Sequence, residues 1–318
     1  MVRRTAVTAL LFLVTTGLVA AESQQRYVVA LKPSRVQIKP SAILSEIDPT
    51  PRERDVTSYS VIDGFAADMT AAEAAELRKS AGVRYVEAVV ERHMLGVVSD
   101  ATRSIMGQTV PFGIDMVRAR ALWEFTRGEN VNVVVIDTGV DYRHPDLAPA
   151  WAGGYNALTK STDPLDDNGH GTHVSGTIAA ADNDFGVLGI APKVRLWGVK
   201  VLQADGNGTS DKIIAGLDWV VNQKKALGGK WIVNLSLGSL YTTLAEEEAF
   251  ARAVDEGLLI VAAAGNESTS TVAAPIGYPA AYAGVMAIGA VDSSSKIASF
   301  SNQGPQLAVV APGVDVLS

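Results

Sequence analysis

Three side chains in this 318-residue chain have the chemistry for acyl transfer, two where apolar runs end and one at the start of a helical pattern. Asp137 follows Val131 to Ile136, a stretch with five apolar residues in six, so its carboxylate is expected to be partly buried and to need a partner that keeps it ionised. Taken singly, a turn or cap residue is the plainer reading, since aspartate after a strand is common in α/β folds. His170 opens the run Asn168-Gly169-His170-Gly171-Thr172-His173, and glycine on both sides leaves room for a substrate backbone. The chain has four histidines. His173 lies one helical turn beyond His170 and reads as a hydrogen-bonded core residue, His144 precedes Pro145 in a turn, and His93 closes an amino-terminal unit. A carboxylate that holds an imidazole in one tautomer, with the imidazole activating a hydroxyl, is the arrangement for nucleophilic acyl transfer. Asn266 follows Ala262-Ala263-Ala264-Gly265, where small residues leave space and an amide could donate to a developing oxyanion. A turn asparagine, or an Asn-Glu-Ser glycosylation sequon, is the plainer reading of that residue.

The elements that must position these groups alternate between apolar runs and helical patterns. Val131–Ile136, Val194–Leu202, Trp231–Leu237, Leu258–Ala264, Val285–Val291 and Leu307–Val310 read as strands rich in β-branched residues. Helices are expected over Gly169–Ala180, Asp211–Lys225 and Leu244–Glu256. The pattern predicts an α/β domain, a mainly parallel sheet with helices on both faces, over residues 107–318. In such a sheet ligands bind at the carboxyl ends of strands, where Asp137 lies.

A small α+β unit is expected to precede it over residues 25–93. Tyr27–Lys32 and Val83–Val90 read as its strands, and Thr70 with Glu73 makes a capping box ahead of a helix. The stretch through Pro33, Pro40, Pro49 and Pro51 reads as turns, and residues 94–106 as a linker. Residues 1–21 read as a secretory signal, with Arg3 and Arg4, an apolar stretch from Ala6 to Val19, and small residues Ala20 and Ala21. That stretch is shorter than the roughly 20 residues a membrane span needs, so an extracellular protein free of the membrane after signal removal is expected. Hydrophobic residues at 47% and charged residues at 19% exclude a disordered chain. A net charge of −7 without a basic run argues against nucleic acid as a partner, and the lack of cysteine excludes disulfides and thiolate metal sites.

Asp-Thr-Gly at Asp137, His-Gly-Thr-His at His170 and Ala-Ala-Ala-Gly-Asn at Asn266, in this order, resemble the subtilisin family of serine proteases, and the resemblance runs from Gln108 to Ser318. It implies a secreted, monomeric serine endopeptidase. Peptide substrate would add as a strand between Ser236-Leu237-Gly238 and Gly206-Asn207-Gly208, through backbone hydrogen bonds that favour broad specificity. The primary side-chain pocket would be walled by Ala263, Ala264 and Gly265 and floored by Gly277, with Glu267 at its rim, and would take a large hydrophobic residue. The resemblance also implies a structural calcium site built from the side chains of Gln108, Asp146 and Asn183 and the carbonyls of Ala181, Phe185 and Val187. Asp182-Asn183-Asp184, a polar interruption after the His170 helix, suits such an oxygen-ligand loop.

The small unit resembles the family's propeptide, an intramolecular chaperone and inhibitor, through Tyr27–Lys32, Gly64-Phe65-Ala66-Ala67 and Val83-Arg84-Tyr85-Val86-Glu87. Gln108–Gly113 resembles mature amino termini, which puts self-cleavage near Met106. The family's nucleophile lies in a Gly-Thr-Ser motif downstream of an Ala-Pro-Gly segment. Ala311-Pro312-Gly313 is present, but Ser318 lacks the preceding Gly-Thr, and Ser236 has Asn234 where a nucleophile elbow requires glycine. The expectation is therefore a chain truncated before its nucleophile, inactive and poorly stable as it stands, with a noncatalytic binding protein as the alternative. A nucleotide-binding enzyme is disfavoured by the lack of a Gly-x-Gly-x-x-Gly turn, and a zinc hydrolase by the lack of His-Glu-x-x-His.

Overall fold

The computed structural model describes residues 23–34, 38–48, 53–96 and 107–318. The signal expected over residues 1–21, and the self-cleavage expected near Met106, lie outside these residues. The small unit is a four-stranded antiparallel sheet in the order β2-β3-β1-β4. Its elements are β1 (Gln25–Leu31), α1 (Pro40–Leu44), β2 (Thr57–Tyr59), β3 (Gly64–Met69), α2 (Ala71–Leu77) and β4 (Val83–Ala88). The capping box is formed as expected: Thr70 Oγ1 accepts from Glu73 N at 3.2 Å and Glu73 Oε2 accepts from Thr70 N at 2.8 Å. Helix α1 stands where turns were expected, started by Pro40, whose missing N–H costs nothing at a helix entrance.

β5 (Glu91–Met94) leads out of this unit, and the larger unit follows. It comprises α3 (Phe112–Met116), α4 (Ala119–Leu122), β6 (Val131–Asp137), β7 (Trp151–Asn156), α5 (His170–Ala179), β8 (Arg195–Lys200), β9 (Asn207–Thr209), α6 (Ser210–Leu227), β10 (Lys230–Leu235), β11 (Leu237–Gly238), α7 (Leu244–Asp255), β12 (Leu259–Ala263), β13 (Val285–Val291) and β14 (Leu307–Pro312). Seven strands form one sheet in the order β14-β13-β12-β10-β6-β8-β7, and every pairing is parallel. The expected α/β architecture is thus present. One strand of this sheet was missed: Trp-Ala-Gly-Gly-Tyr-Asn of β7 carries two glycines and lies at the sheet edge, so it has no apolar run to betray it.

Both faces of β6 are buried, which is why its sequence is nearly continuously apolar. Val134 and Ile136 join the core beneath α6 and α7, while Val133 and Val135 join the core beneath α5. Asn132, the one polar residue in the run, accepts from the Trp197 indole at 2.9 Å and so is buried without loss.

The small unit packs on the outer faces of α6 and α7. Its Val28, Tyr59, Val61, Ile62 and Ala66 belong to the same buried cluster as Ile214, Leu217 and Phe250 of those helices. Charge anchors frame this contact: Glu87 accepts from Leu244 N and Ala245 N at 3.1 and 2.9 Å, filling two donor positions at the start of α7. Asp218 accepts from Ser60 N and Val61 N at 2.6 and 2.5 Å, and Arg84 forms a two-bond fork with Glu248 at 2.8 and 2.7 Å. Replacing Thr70 by Ala removes one half of the capping box and is expected to destabilise the small unit by about 1 kcal/mol, read from the first transition in a denaturant titration.

Candidate active site

β6 and α5 bring the two principal groups together. Asp137, fully buried at the carboxyl end of β6, accepts at Oδ1 from Thr138 N at 2.7 Å and meets His170 Nδ1 at 2.7 Å. The approach of α5 depends on Gly171: a Cβ there would lie 2.1 Å from the Gly139 carbonyl oxygen and 3.1 Å from Asp137 Cβ. Asp166 fixes the start of the helix. Its carboxylate accepts from Asn168 N, Gly169 N and Thr172 N at 3.0 Å each and from the Thr172 hydroxyl at 2.6 Å. Burial raises the Asp166 pKa, but these hydrogen bonds outweigh it and hold the carboxyl below its ordinary value. Thr138 Oγ1 accepts from Gly171 N at 2.9 Å, tying strand end to helix start a second time.

Burial alone would lower the His170 pKa. The hydrogen bond to Asp137 and the charge of that carboxylate outweigh it, so the imidazole holds its second proton above its ordinary value. His173 differs: its Nε2 lies 3.1 Å from the Val316 carbonyl oxygen, and burial pushes its pKa down. Expected as a hydrogen-bonded core residue, His173 is hydrogen-bonded but lies part-buried at the edge of the core.

The other ring nitrogen of His170, Nε2, lies against Leu95, which with Gly96, Ser236, Ala263, Ala264, Gly265 and Asn266 lines an open cleft of about 800 Å³. A stretch of the chain itself enters this cleft. β5 pairs antiparallel with β11 on one side and β9 on the other, Met94 opposite Leu237 and His93 opposite both Gly238 and Asn207. Met94 N donates to the Gly206 carbonyl at 2.9 Å and Leu95 N to the Ser236 carbonyl at 2.8 Å. Gly208 pairs with Arg92, so Ser236-Leu237-Gly238 and Gly206-Asn207-Gly208 flank this stretch of the chain on its two sides. The carbonyl oxygen of Leu95 stands 3.3 Å from His170 Nε2. Gly96 follows with φ of 140°, and a Cβ on it would lie 3.1 Å from the same nitrogen. Met94, Leu95 and Gly96, where a linker was expected to begin, run on from β5 between β9 and β11 to His170. Gly277 sits just behind the wall, its N–H donating to the Ala264 carbonyl at 2.8 Å. Asn266 is exposed on the rim of the cleft.

Neither serine weighed as a nucleophile meets the imidazole. Ser318 Oγ donates to the His173 carbonyl at 2.6 Å, and Ser236 Oγ accepts from Asn234 Nδ2 at 3.0 Å. Residues not singled out from sequence support the site. Lys200, buried beside the end of β6, donates to the Thr138 and Leu202 carbonyls and pairs with Asp167 at 2.6 Å. Asn302 Oδ1 accepts from Glu267 N and Ser268 N at 2.9 and 3.0 Å, fixing the loop that carries Asn266. Asp166, three residues before the helix cap, carried a readable Asx signal; Lys200 and Asn302 carried none.

The oxygen loop can be tested against calcium. Among the described residues no group of three His, Asp or Glu side chains could hold a metal, and the expected set mixes carbonyls and amides with one carboxylate. The carbonyls of Ala181 and Val187 and the Asn183 side-chain oxygen converge on Gln108 Nε2 at 2.7, 3.1 and 3.5 Å. Asn183 Nδ2 donates to Asp146 Oδ1 at 2.9 Å, and Phe185 takes part through its N–H, which donates to Asn183 Oδ1 at 2.8 Å. Several oxygens facing one point, with a carboxylate beside them, fit a hard cation, and a half-turn of the Gln108 amide adds its own oxygen.

A family model for the subtilase family matches residues 128–318, and one for the peptidase inhibitor I9 matches residues 26–94. Subtilisin E of Bacillus subtilis (strain 168) is 36% identical over 300 residues, covering 94% of this chain and 74% of the relative. The thermostable alkaline protease of Halalkalibacterium halodurans is 35% identical over 311 residues, 98% of this chain and 78% of its own length. Subtilisin DY of Bacillus licheniformis is 44% identical over 212 residues, 66% of this chain and 75% of its own length. The chain belongs to the subtilase family of serine proteases, as a precursor that carries an inhibitor-type propeptide.

Asp137→Asn keeps the shape of the pair and removes the charge that raises the His170 pKa. Burial then dominates, and the titration of the His170 ring protons by NMR is expected to move from above 6.5 to below it.

Proposed function

We propose that this chain is the precursor of a secreted serine endopeptidase in which Asp137 orients His170, and His170 takes the proton from a serine hydroxyl and returns it to the leaving amine. The observation that carries this reading is the Leu95 carbonyl, seated 3.3 Å from His170 Nε2 by a segment hydrogen-bonded as a strand on both sides. The hydroxyl is proposed to come from a Gly-Thr-Ser segment downstream of Ser318, and Asn266 to donate to the oxyanion formed on the attacked carbonyl. Residues 25–93 are proposed to guide folding of residues 107–318 and then to block them. The bond presented for self-cleavage is Leu95–Gly96 in place of one near Met106, and Leu95 supports a preference for large apolar residues before the cut. Secretion is supported by the pattern at residues 1–21; among the described residues no helix is long and apolar enough to cross a membrane.

The 318-residue chain and the form extended through a Gly-Thr-Ser segment are to be compared on peptide anilides. The extended form is expected to cleave after Leu or Phe, with activity rising as pH passes the raised His170 pKa and the imidazole becomes neutral. His170→Ala is expected to lower kcat by about 10⁶-fold; an extended form that cleaves no peptide overturns the reading.

Calcium is proposed as a structural ligand of Gln108, Asp146, Asn183 and the adjoining carbonyls, where it would neutralise Asp146 and brace the loop after α5. Calcium at about 100 times its Kd is expected to raise the Tm of the chelator-treated chain by roughly 5 °C. Asp146→Asn should abolish that gain in a thermal scan.

A further inference from the structure

The cleft segment puts one charged side chain wholly out of water. Arg92, in the middle of β5, and Glu246, in the first turn of α7, are both fully buried and paired with each other. Arg92 Nη2 donates to Glu246 Oε2, and Nη1 donates to Ser239 Oγ at 2.8 Å and to the Glu91 carbonyl at 2.9 Å. The Tyr282 hydroxyl donates to the same Glu246 oxygen at 3.1 Å. Counted back from the bond beside His170, Leu95 is the first residue and Arg92 the fourth. The strand's alternation turns Arg92 inward and His93 outward, where its ring meets Asn207 Oδ1 at 2.6 Å.

The chemistry of this pocket suits a guanidinium and nothing apolar. An ionised carboxylate removed from water needs a cation with several donors, and among the described residues Arg92 is the cation that pairs with Glu246. Arg92 Nε and Glu246 Oε1 are also buried and have no hydrogen-bond partner among the described residues, so both groups retain the capacity for a second bond in a fork-to-fork pair. A leucine in the position of Arg92 would leave Glu246 out of water and without a cation, with the neutral Tyr282 hydroxyl as its remaining donor. Pockets built around buried polar groups reject ligands that lack the matching group far more strongly than apolar pockets reject misfits.

We propose that Glu246, with Ser239 and Tyr282, forms an acidic subsite that selects arginine four residues before the cleaved bond, so that the enzyme prefers Arg-x-x-Leu sequences. This rests on the endopeptidase reading and narrows the broad specificity expected from backbone pairing alone. Glu246 is a specificity-determining residue, and Arg92 of the precursor is the first arginine it holds.

Two measurements test the subsite, one without catalysis. In the 318-residue chain, Arg92→Ala is expected to lower the Tm by several degrees, with ethylguanidinium restoring more of the loss than ethylammonium at equal concentration. Adding Glu246→Leu should abolish that difference; equal effects of the two cations, or a difference that survives Glu246→Leu, overturn the proposal. In the extended, proteolytically active form, a peptide Glu-Arg-His-Met-Leu-Gly is expected to be cleaved with kcat/KM at least about 30-fold above its Leu-for-Arg counterpart, the ratio that follows from unpairing one member of a desolvated charge pair. Glu246→Leu should reverse the order. A ratio near one, or one unchanged by Glu246→Leu, sinks the subsite even if Arg92→Ala does not fold. Failure to cleave either peptide counts against the endopeptidase reading and leaves the cation comparison to decide the subsite.

Discussion

Everything at the site depends on a carboxylate that has been taken out of water at the end of a central strand. Asp137 is fully buried, its Oδ2 has no hydrogen-bond partner among the described residues, and Oδ1 is shared between Thr138 N and His170. A charge held this way is tolerable only with a cation-capable group against it, which is the reason for the raised His170 pKa. The surrounding features follow from keeping that contact short. Gly171 lets α5 close on the strand end, Asp166 pins the first turn of α5, and Lys200 braces the backbone that carries Asp137.

The same geometry explains why backbone, more than side chains, defines the cleft. β5 is held by β9 and β11 through main-chain bonds that any sequence could make, so selectivity must come from pockets where alternate side chains turn inward. One pocket beside Leu95 is lined by Ala263, Ala264 and Gly265, where small residues leave volume. The Glu246 pocket differs in kind, since it is defined by charge.

Much of this was legible in the sequence, and the reasons are physical. Asp137, His170 and Asn266 stand beside apolar runs and small residues whose patterns are local, and most strand and helix limits fell within two residues of those observed. What stayed hidden is non-local or unpatterned. β7 is a glycine-bearing edge strand, and Glu-Arg-His-Met of β5 becomes a strand only because β9 and β11 lie ready on either side. Arg92 and Glu246 are separated by 154 positions, and each taken alone reads as a solvated surface charge.

The apolar cluster that runs from Val28 and Tyr59 of the small unit into Phe250 and Leu217 of the large one has a consequence for timing. Cutting one peptide bond leaves that shared interior intact, together with the Glu87, Asp218 and Arg84 anchors. Departure of the small unit would wet the outer faces of α6 and α7 and uncover the first N–H groups of α7. Chain scission and dissociation are therefore separate events with separate barriers. On the reading proposed above, a cut in the joining chain does not by itself free the cleft: the tighter the small unit binds, the longer β5 stays between β9 and β11.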